Sequence, residues 1–321
     1  MDIENLEVEY ASNRGCARAV DKISLQVAEG EAFGLAGESG CGKTTAALSI
    51  MKLLPPAGRI VGGKIRFDKQ DLTALSELEL RKIRWKSISM VFQGSMNALN
   101  PVHKVGNQIA EAILLHEKTT RSKALQRAKD LLQMVGLDAS RGGDYPHQFS
   151  GGMKQRAIIA MALACNPKLV IADEPVTALD VIVQDQILKL MKRLQEELGL
   201  SMILISHDLS VIAQTCDRVA IMYAGKVIEY ADVIPIFEQP AHPYTQALVT
   251  AFPSVRSSRK LTAIPGSPPD LTNPPTGCRF HPRCPMKFDL CTREEPKLLR
   301  VGAGHYTSCH LLHEERENDP H

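Results

Sequence analysis

The chain has 321 residues, 44% hydrophobic, 23% charged and only 5% aromatic, which fits a globular protein of one large or two modest domains and excludes disorder, collagen and coiled coil. With 38 basic and 36 acidic residues the net charge is +2, so no broad field draws nucleic acid or an anionic lipid surface. No apolar run reaches the ~18 residues of a membrane helix, and the acidic opening MDIENLEVEY does not fit a secretory signal, so the chain is expected in the cytosol.

In chain order, short apolar runs predict strands at 4–10, 19–27, 31–36, 63–67 and 88–93. Between 95 and 149 nothing reads as a strand, and amphipathic spacing predicts helices near 105–116 and 121–135, a helical insertion. Strands are predicted again at 168–172, 202–206, 218–223 and 226–230. Apolar runs alternating with helical stretches call for an α/β sheet packed on both faces. From Ala241 onward, Pro243, Pro253, Pro265, Pro268, Pro269, Pro274, Pro275, Pro282 and Pro285 resist long helices and central strands. This predicts a loop-rich appendage that needs a staple. No internal repeat or low-complexity tract stands out.

After the run at 32–36 comes Gly37-Glu38-Ser39-Gly40-Cys41-Gly42-Lys43-Thr44-Thr45, which meets every fixed position of G-x-x-x-x-G-K-[ST]. The glycines let backbone N–H groups turn inward around phosphate oxygens, and the helix starting near Gly42 adds its positive end. Lys43 is expected to reach the β and γ phosphates, and the Thr44 hydroxyl to ligate Mg²⁺. Further on, Leu169-Val170-Ile171-Ala172 ends on Asp173 and Glu174. Paired charges at the end of a buried strand must be solvated or matched. They can divide the work, Asp173 holding Mg²⁺ through water and Glu174 polarising the water that attacks the γ-phosphorus.

Kinases, GTPases and motor ATPases all share those two elements. What separates them is Phe149-Ser150-Gly151-Gly152-Met153-Lys154-Gln155-Arg156 at the head of a helix, a second small anion-binding cap. One chain has little use for two γ-phosphate cradles. Two chains packed head to tail would close the second cap of each over the nucleotide of the other.

On these motifs the sequence resembles the nucleotide-binding subunits of ATP-binding-cassette (ABC) transporters, whose signature is matched by Ser150 through Gln155. The likeness covers residues 1–235 and implies a P-loop NTPase cassette: a RecA-like α/β core with an antiparallel β subdomain and a helical insertion. It also implies roles. Gln93 corresponds to the Q-loop glutamine that senses Mg²⁺ and the attacking water, and His207 to the switch histidine at the γ-phosphate. Ala178-Leu179-Asp180 corresponds to the D-loop, with Thr177 where serine is commonest. Tyr10 corresponds to the aromatic residue that stacks on adenine. The catalytic set is then Glu174, His207 and Gln93, with Mg²⁺ held by Thr44, Gln93 and Asp173. ATP contacts fall to Tyr10, Gly37, Ser39, Gly40, Cys41, Gly42, Lys43, Thr44, Thr45 and Asp173, and across the dimer to Ser150, Gly151, Gly152, Gln155 and Asp180. Cys41 stands where the family usually has serine. Its backbone N–H is expected to matter most, and its thiol to be an easy target for alkylation.

Ala241-His242-Pro243-Tyr244-Thr245, Pro265-Gly266-Ser267-Pro268-Pro269 and the run from Pro274 to Pro285 resemble the C-terminal extension of the dipeptide, oligopeptide and nickel importer branch. That branch implies ATP-driven peptide import from the cytoplasmic face of the membrane. A nickel importer, or a soluble ABC ATPase acting on nucleic acid, is the alternative reading. The implied partners are a second ATPase subunit in a heterodimer, two transmembrane permease subunits and an extracytoplasmic peptide-binding protein, with no nucleic acid. Expected boundaries are 1–94 and 151–240 for the core, 95–150 for the helical insertion and 241–321 for a small Pro/Cys-rich C-terminal domain.

Cys278, Cys284, Cys291 and Cys309 follow C-x5-C-x6-C-x17-C. Four thiolates suit Zn²⁺ or an iron–sulphur cluster, and plain structural thiols are a third reading. No close C-x2–4-C knuckle occurs, and wider loops fit a larger cubane. The family resemblance implies a [4Fe–4S] cluster, with Zn²⁺ the alternative. His281, His305 and His310 could substitute as ligands, and are otherwise expected on the surface or capping turns. Cys16, Cys41, Cys165 and Cys216 read as incidental.

Overall fold

The structure is a computed structural model that describes residues 1–12, 15–251 and 264–312. Pro253 and the last nine residues of the expected appendage lie outside them. The chain opens with β1 (Asp2–Ser12), β2 (Gly15–Gln26), β3 (Ala32–Ala36), α1 (Lys43–Ile50), β4 (Gly58–Phe67), β5 (Gln70–Asp71), α2 (Glu77–Ile83) and β6 (Ile88–Val91). There follow α3 (Val105–His116), α4 (Arg121–Met134), α5 (Gly151–Ala162), β7 (Leu169–Asp173), α6 (Val181–Leu198) and β8 (Ser201–Ser206). The last part holds α7 (Leu209–Thr215), β9 (Arg218–Tyr223), β10 (Lys226–Asp232), α8 (Val233–Glu238), α9 (Pro243–Ala251), α10 (Asp289–Arg293), β11 (Leu299–Gly302) and β12 (His305–Thr307).

The chain divides into two compact units. One comprises the described residues of Met1–Gln26, Phe33–Thr73 and Ser206–His321. Its antiparallel sheet runs β2-β1-β4-β5. In β1 the buried residues are Ile3, Leu6 and Val8, a three-residue step followed by a two-residue step. The odd step coincides with register shifts against both neighbours and with Asn5 at φ 46°, so a bulge keeps the apolar side chains on one face. The unit's second set of strands runs β11-β12-β10-β9-β3, parallel only between β3 and β9. All five residues of β3 are buried, as a strand covered on both faces requires.

The proline-rich tail is more regular than its composition predicts. Pro243 opens α9 at a position where a missing N–H costs nothing, and β12 adds itself to β10 through Glu229–Thr307 and Tyr230–Tyr306. Tyr223, Tyr244 and Phe280 form a buried trio with ring centroids 4.7, 5.2 and 5.3 Å apart. Burying a ring such as Phe280 contributes about 2–3 kcal/mol.

The other unit comprises Val27–Ala32 and Ala74–Ile205. Its strands β6, β7 and β8 are parallel. Residues 95–149 hold no strand, and helices α3 and α4 turn Val105, Ile109, Ile113 and Ala124, Ala128, Leu131 inward at helical spacing. Helix α6 starts where Asp180 accepts from the Val183 N–H and stops at Gly199 in the left-handed region.

Candidate functional site

In the first unit the loop from Gly37 to Gly42 joins the buried strand β3 to helix α1. Gly37 and Gly42 have φ of 145° and 107°, and a Cβ on either would lie 2.2 Å from a carbonyl oxygen, of Met222 and Ala19 respectively. Only glycine fits there, for reasons of both backbone angle and space. Lys43 is 5% exposed, and its ammonium donates to the carbonyls of Gly37 at 2.7 Å and Glu38 at 2.9 Å. Thr44 and Thr45 are half-buried on the first turn of α1, and the Tyr10 hydroxyl is 3.4 Å from Thr45 Oγ1.

Cys41 departs from the expectation of an alkylatable thiol. It is 4% exposed, its sulphur accepts from Lys43 Nζ at 3.6 Å, and burial raises its pKa, so little reactive thiolate forms. Ser39 and Gly40 are the exposed tip of the loop, and His207, directly after β8, is exposed as well.

In the second unit β7 delivers Asp173, 1% exposed, and the chain then turns sharply at Glu174, whose φ is 47°. A left-handed glutamate is held only where its surroundings enforce it. Its N–H donates to the Ile205 carbonyl at 2.9 Å, and its carboxylate accepts from Gln93 Nε2 at 2.9 Å and Thr177 Oγ1 at 3.0 Å. Gln93 and Glu174 are 81 positions apart in the chain and meet because β6 and β7 are parallel neighbours. In the same unit Ser150 caps α5 by accepting from the Met153 N–H at 3.3 Å, with Gly151 exposed, Gly152 half-buried and Gln155 buried. Asp180 caps α6.

The tail carries contacts that the motif reading assigned no role. Arg283 donates to both carboxylate oxygens of Glu38, and the Glu38 N–H donates to the Tyr244 hydroxyl. Glu38 occupies a variable position of the loop motif, so spacing gave no reason to single it out. Arg279 pairs with Asp21, which also meets Lys226 at 3.1 Å. His305 and His310 are buried, 9% and 5% exposed, and not on the surface. His305 Nε2 lies 2.7 Å from the fully buried carboxylate of Glu229, and His310 lies 2.9 Å from the Glu294 carbonyl. His281 does cap its turn, at 2.9 Å from the Cys278 carbonyl.

Cys278, Cys284, Cys291 and Cys309 line one cavity with His242, Phe280, Met286 and His310. Among the described residues, no three or more His, Cys, Asp or Glu side chains converge on a point that could hold one metal ion. Burial pushes the thiols of Cys278 and Cys309 up to about 11 and about 12, with the neighbouring thiols adding to the rise and backbone hydrogen bonds to the sulphurs working against it.

A glycine-built phosphate loop ending in a lysine, and a buried strand ending in two acids, define a P-loop nucleoside triphosphatase. Residues 20–177 match the family model described as ABC transporter, and residues 228–291 match the oligopeptide/dipeptide transporter C-terminal region. The chain is 46% identical over 318 residues to the oligopeptide transport ATP-binding protein OppD of Bacillus subtilis, covering 98% of this chain and 89% of that one. It is 45% identical over 313 residues to the dipeptide transport ATP-binding protein DppD of Escherichia coli, covering 97% and 96%. The dimeric structure of the bacterial ABC transporter cassette MJ0796 superposes with a TM-score of 0.65 at 29% identity, over 72% of this chain and 98% of that one. The chain belongs to the ABC transporter ATPase family, with the C-terminal region of its oligopeptide/dipeptide branch. Among the described residues no helix is long and apolar enough to cross a membrane.

Proposed function

We propose that the chain is the ATP-hydrolysing subunit that powers import of dipeptides or oligopeptides through a multi-subunit ABC transporter. The observation that carries this reading is the coexistence of the cassette and the transporter-type C-terminal region in one chain that aligns almost end to end with dipeptide and oligopeptide transport ATP-binding proteins. The domain boundaries we propose are 1–94 with 151–240 for the core, 95–150 for the helical insertion and 241–321 for a Pro/Cys-rich C-terminal module.

In this reading Lys43 and the N–H groups of residues 37–45 hold the ATP phosphates, and Tyr10 stacks on adenine. Thr44, Gln93 and Asp173 would hold Mg²⁺, which would supply charge screening at the phosphates. Glu174 takes a proton from the attacking water, while Gln93 and Thr177 orient its carboxylate, an arrangement supported by the 2.9 and 3.0 Å bonds. His207 acts at the γ-phosphate. Ser150, Gly151, Gly152, Gln155 and Asp180 act on the nucleotide bound by a second cassette. ATP joins the two cassettes, and hydrolysis releases them.

The partners in this reading are a second ATPase subunit, two transmembrane permease subunits and an extracytoplasmic peptide-binding protein, with this chain peripheral on the cytoplasmic face. We also propose that the four tail cysteines hold a [4Fe–4S] cluster, supported by their common cavity. Such a group would supply covalent cross-links between the loops that carry these cysteines.

The test is reconstitution of the chain with its permease subunits and binding protein in lipid vesicles. ATP-dependent uptake of a labelled dipeptide or oligopeptide, lost with Lys43→Ala, is expected. Hydrolysis stimulated by DNA and indifferent to the membrane subunits would contradict the reading.

A further inference from the structure

Glu38 is engaged at every polar atom it has. Its N–H donates to the Tyr244 hydroxyl at 2.9 Å, and its carbonyl accepts from Lys43 Nζ at 2.9 Å. Its carboxylate accepts from Arg283 Nη1 at 2.6 Å and Nη2 at 3.0 Å, a two-pronged pairing that fixes direction as well as distance. Both tail residues are rigidly mounted. The Arg283 side chain is 6% exposed, its Nε donates to the Pro265 carbonyl at 2.8 Å, and its guanidinium lies 5.8 Å from the Tyr223 ring centre. The Tyr244 ring is fully buried between Tyr223 and Phe280. Its N–H donates to His242 Nδ1 at 3.0 Å, and the His242 N–H donates to Glu229 at 2.8 Å.

A tail that needed only an anchor already has one in the pairing of β12 with β10. The tail also pairs Arg279 with Asp21, away from the loop, but Tyr244 and Arg283 both end on one residue of the phosphate loop, one at its backbone and one at its side chain. The carbonyl of that same residue holds the Lys43 ammonium.

We propose that Arg283 and Tyr244 are positioning residues for nucleotide binding: acting through Glu38, they set the backbone of the phosphate loop and with it the location of the Lys43 ammonium. The inference rests on the reading of this loop as the ATP cradle. It makes the C-terminal extension a part of the nucleotide site at one remove.

The test is calorimetric titration of the purified full-length chain with MgATP, paired with KM and kcat of the assembled transporter. Arg283→Met and Glu38→Gln are each expected to raise the Kd for MgATP about tenfold, as loss of a hydrogen-bonded ion pair does. The double variant is expected to be no weaker than either single one, because both break the same link. Arg283→Lys should recover part of the loss. In the transporter the defect should fall mainly in KM, whereas a smaller folded fraction would lower kcat alone. Should Arg283→Met fail to fold, Tyr244→Phe, which removes one oxygen, decides on the same readout. Folded variants that bind MgATP within twofold of wild type, or single-variant losses that simply add, would overturn the proposal. A wild-type chain that binds no MgATP would instead overturn the reading beneath it.

Discussion

The ammonium nitrogen of Lys43 lies 2.7 Å from the carbonyl oxygen of Gly37. The donor that the motif assigns to phosphate oxygens is therefore cradled by the loop's own backbone, with the Glu38 carbonyl 2.9 Å away on the second bond. Charged phosphate oxygens are stronger acceptors than neutral carbonyls, so this geometry lets Lys43 transfer readily from one set to the other. The loop must hold its shape while that exchange occurs.

Gly42→Ala tests that requirement. The residue has φ 107°, and a Cβ would lie 2.2 Å from the Ala19 carbonyl oxygen, so the loop must deform. A loss of about 1–3 kcal/mol in unfolding free energy is expected, together with a Kd for MgATP weakened by more than about tenfold. Gly40→Ala is the comparison: its φ is 79°, but nothing lies within 4 Å of the added carbon, so it should do less harm on both counts. Urea unfolding and titration of the two variants separate these outcomes.

Thiol reactivity should rank by burial. Cys16 is exposed, whereas Cys41 and Cys165 are buried. Burial, with a smaller push from the Glu117 carboxylate, raises the Cys165 thiol to about 11, and burial likewise raises Cys41. Because the thiolate is the reactive form, a raised pKa means slow labelling near neutral pH and faster labelling as pH climbs. Timed iodoacetamide labelling read by mass spectrometry is expected to mark Cys16 first at pH of about 7.5. Equal rates at Cys41 and Cys16 would contradict the buried placement.

The tail cysteines make a separate prediction. Protein purified without oxygen is expected to be brown and to contain about four irons and four sulphides per chain, and Cys284→Ser should abolish both. Colourless protein with one zinc per chain would contradict the cluster.

Much of the fold was legible because its signals are local. The buried strands β3, β7, β8 and β9 read as apolar runs, and α3 and α4 as regular helical spacing. Strand β4 begins at Gly58, five residues before its expected start, because Gly62 and Gly63 interrupt the pattern where β1 bulges. Strands β11 and β12 were missed because they are short, β11 pairs only with β12, and β12 pairs with β10 through residues far upstream, Glu229 with Thr307 and Tyr230 with Tyr306. The loop lysine and the acid pair were plain from spacing. The Glu38–Arg283 link was not, since its partners stand 245 positions apart and only the folded tail brings them together. The expectation that His305 lies on the surface or caps a turn failed for a related reason: it meets the buried carboxyl group of Glu229 on β10, which no local pattern marks.

The most direct test of the account is Glu174→Gln, measured by steady-state ATP hydrolysis of the assembled transporter and by MgATP binding to the same preparation. The carboxylate at the turn after β7, held by Gln93 and Thr177, is assigned the proton of the attacking water. Replacing it by an amide should lower kcat by about 10²–10⁴-fold while leaving MgATP bound as in wild type and the cassettes joined. Hydrolysis kept within tenfold of wild type would contradict the assignment of Glu174 as the base.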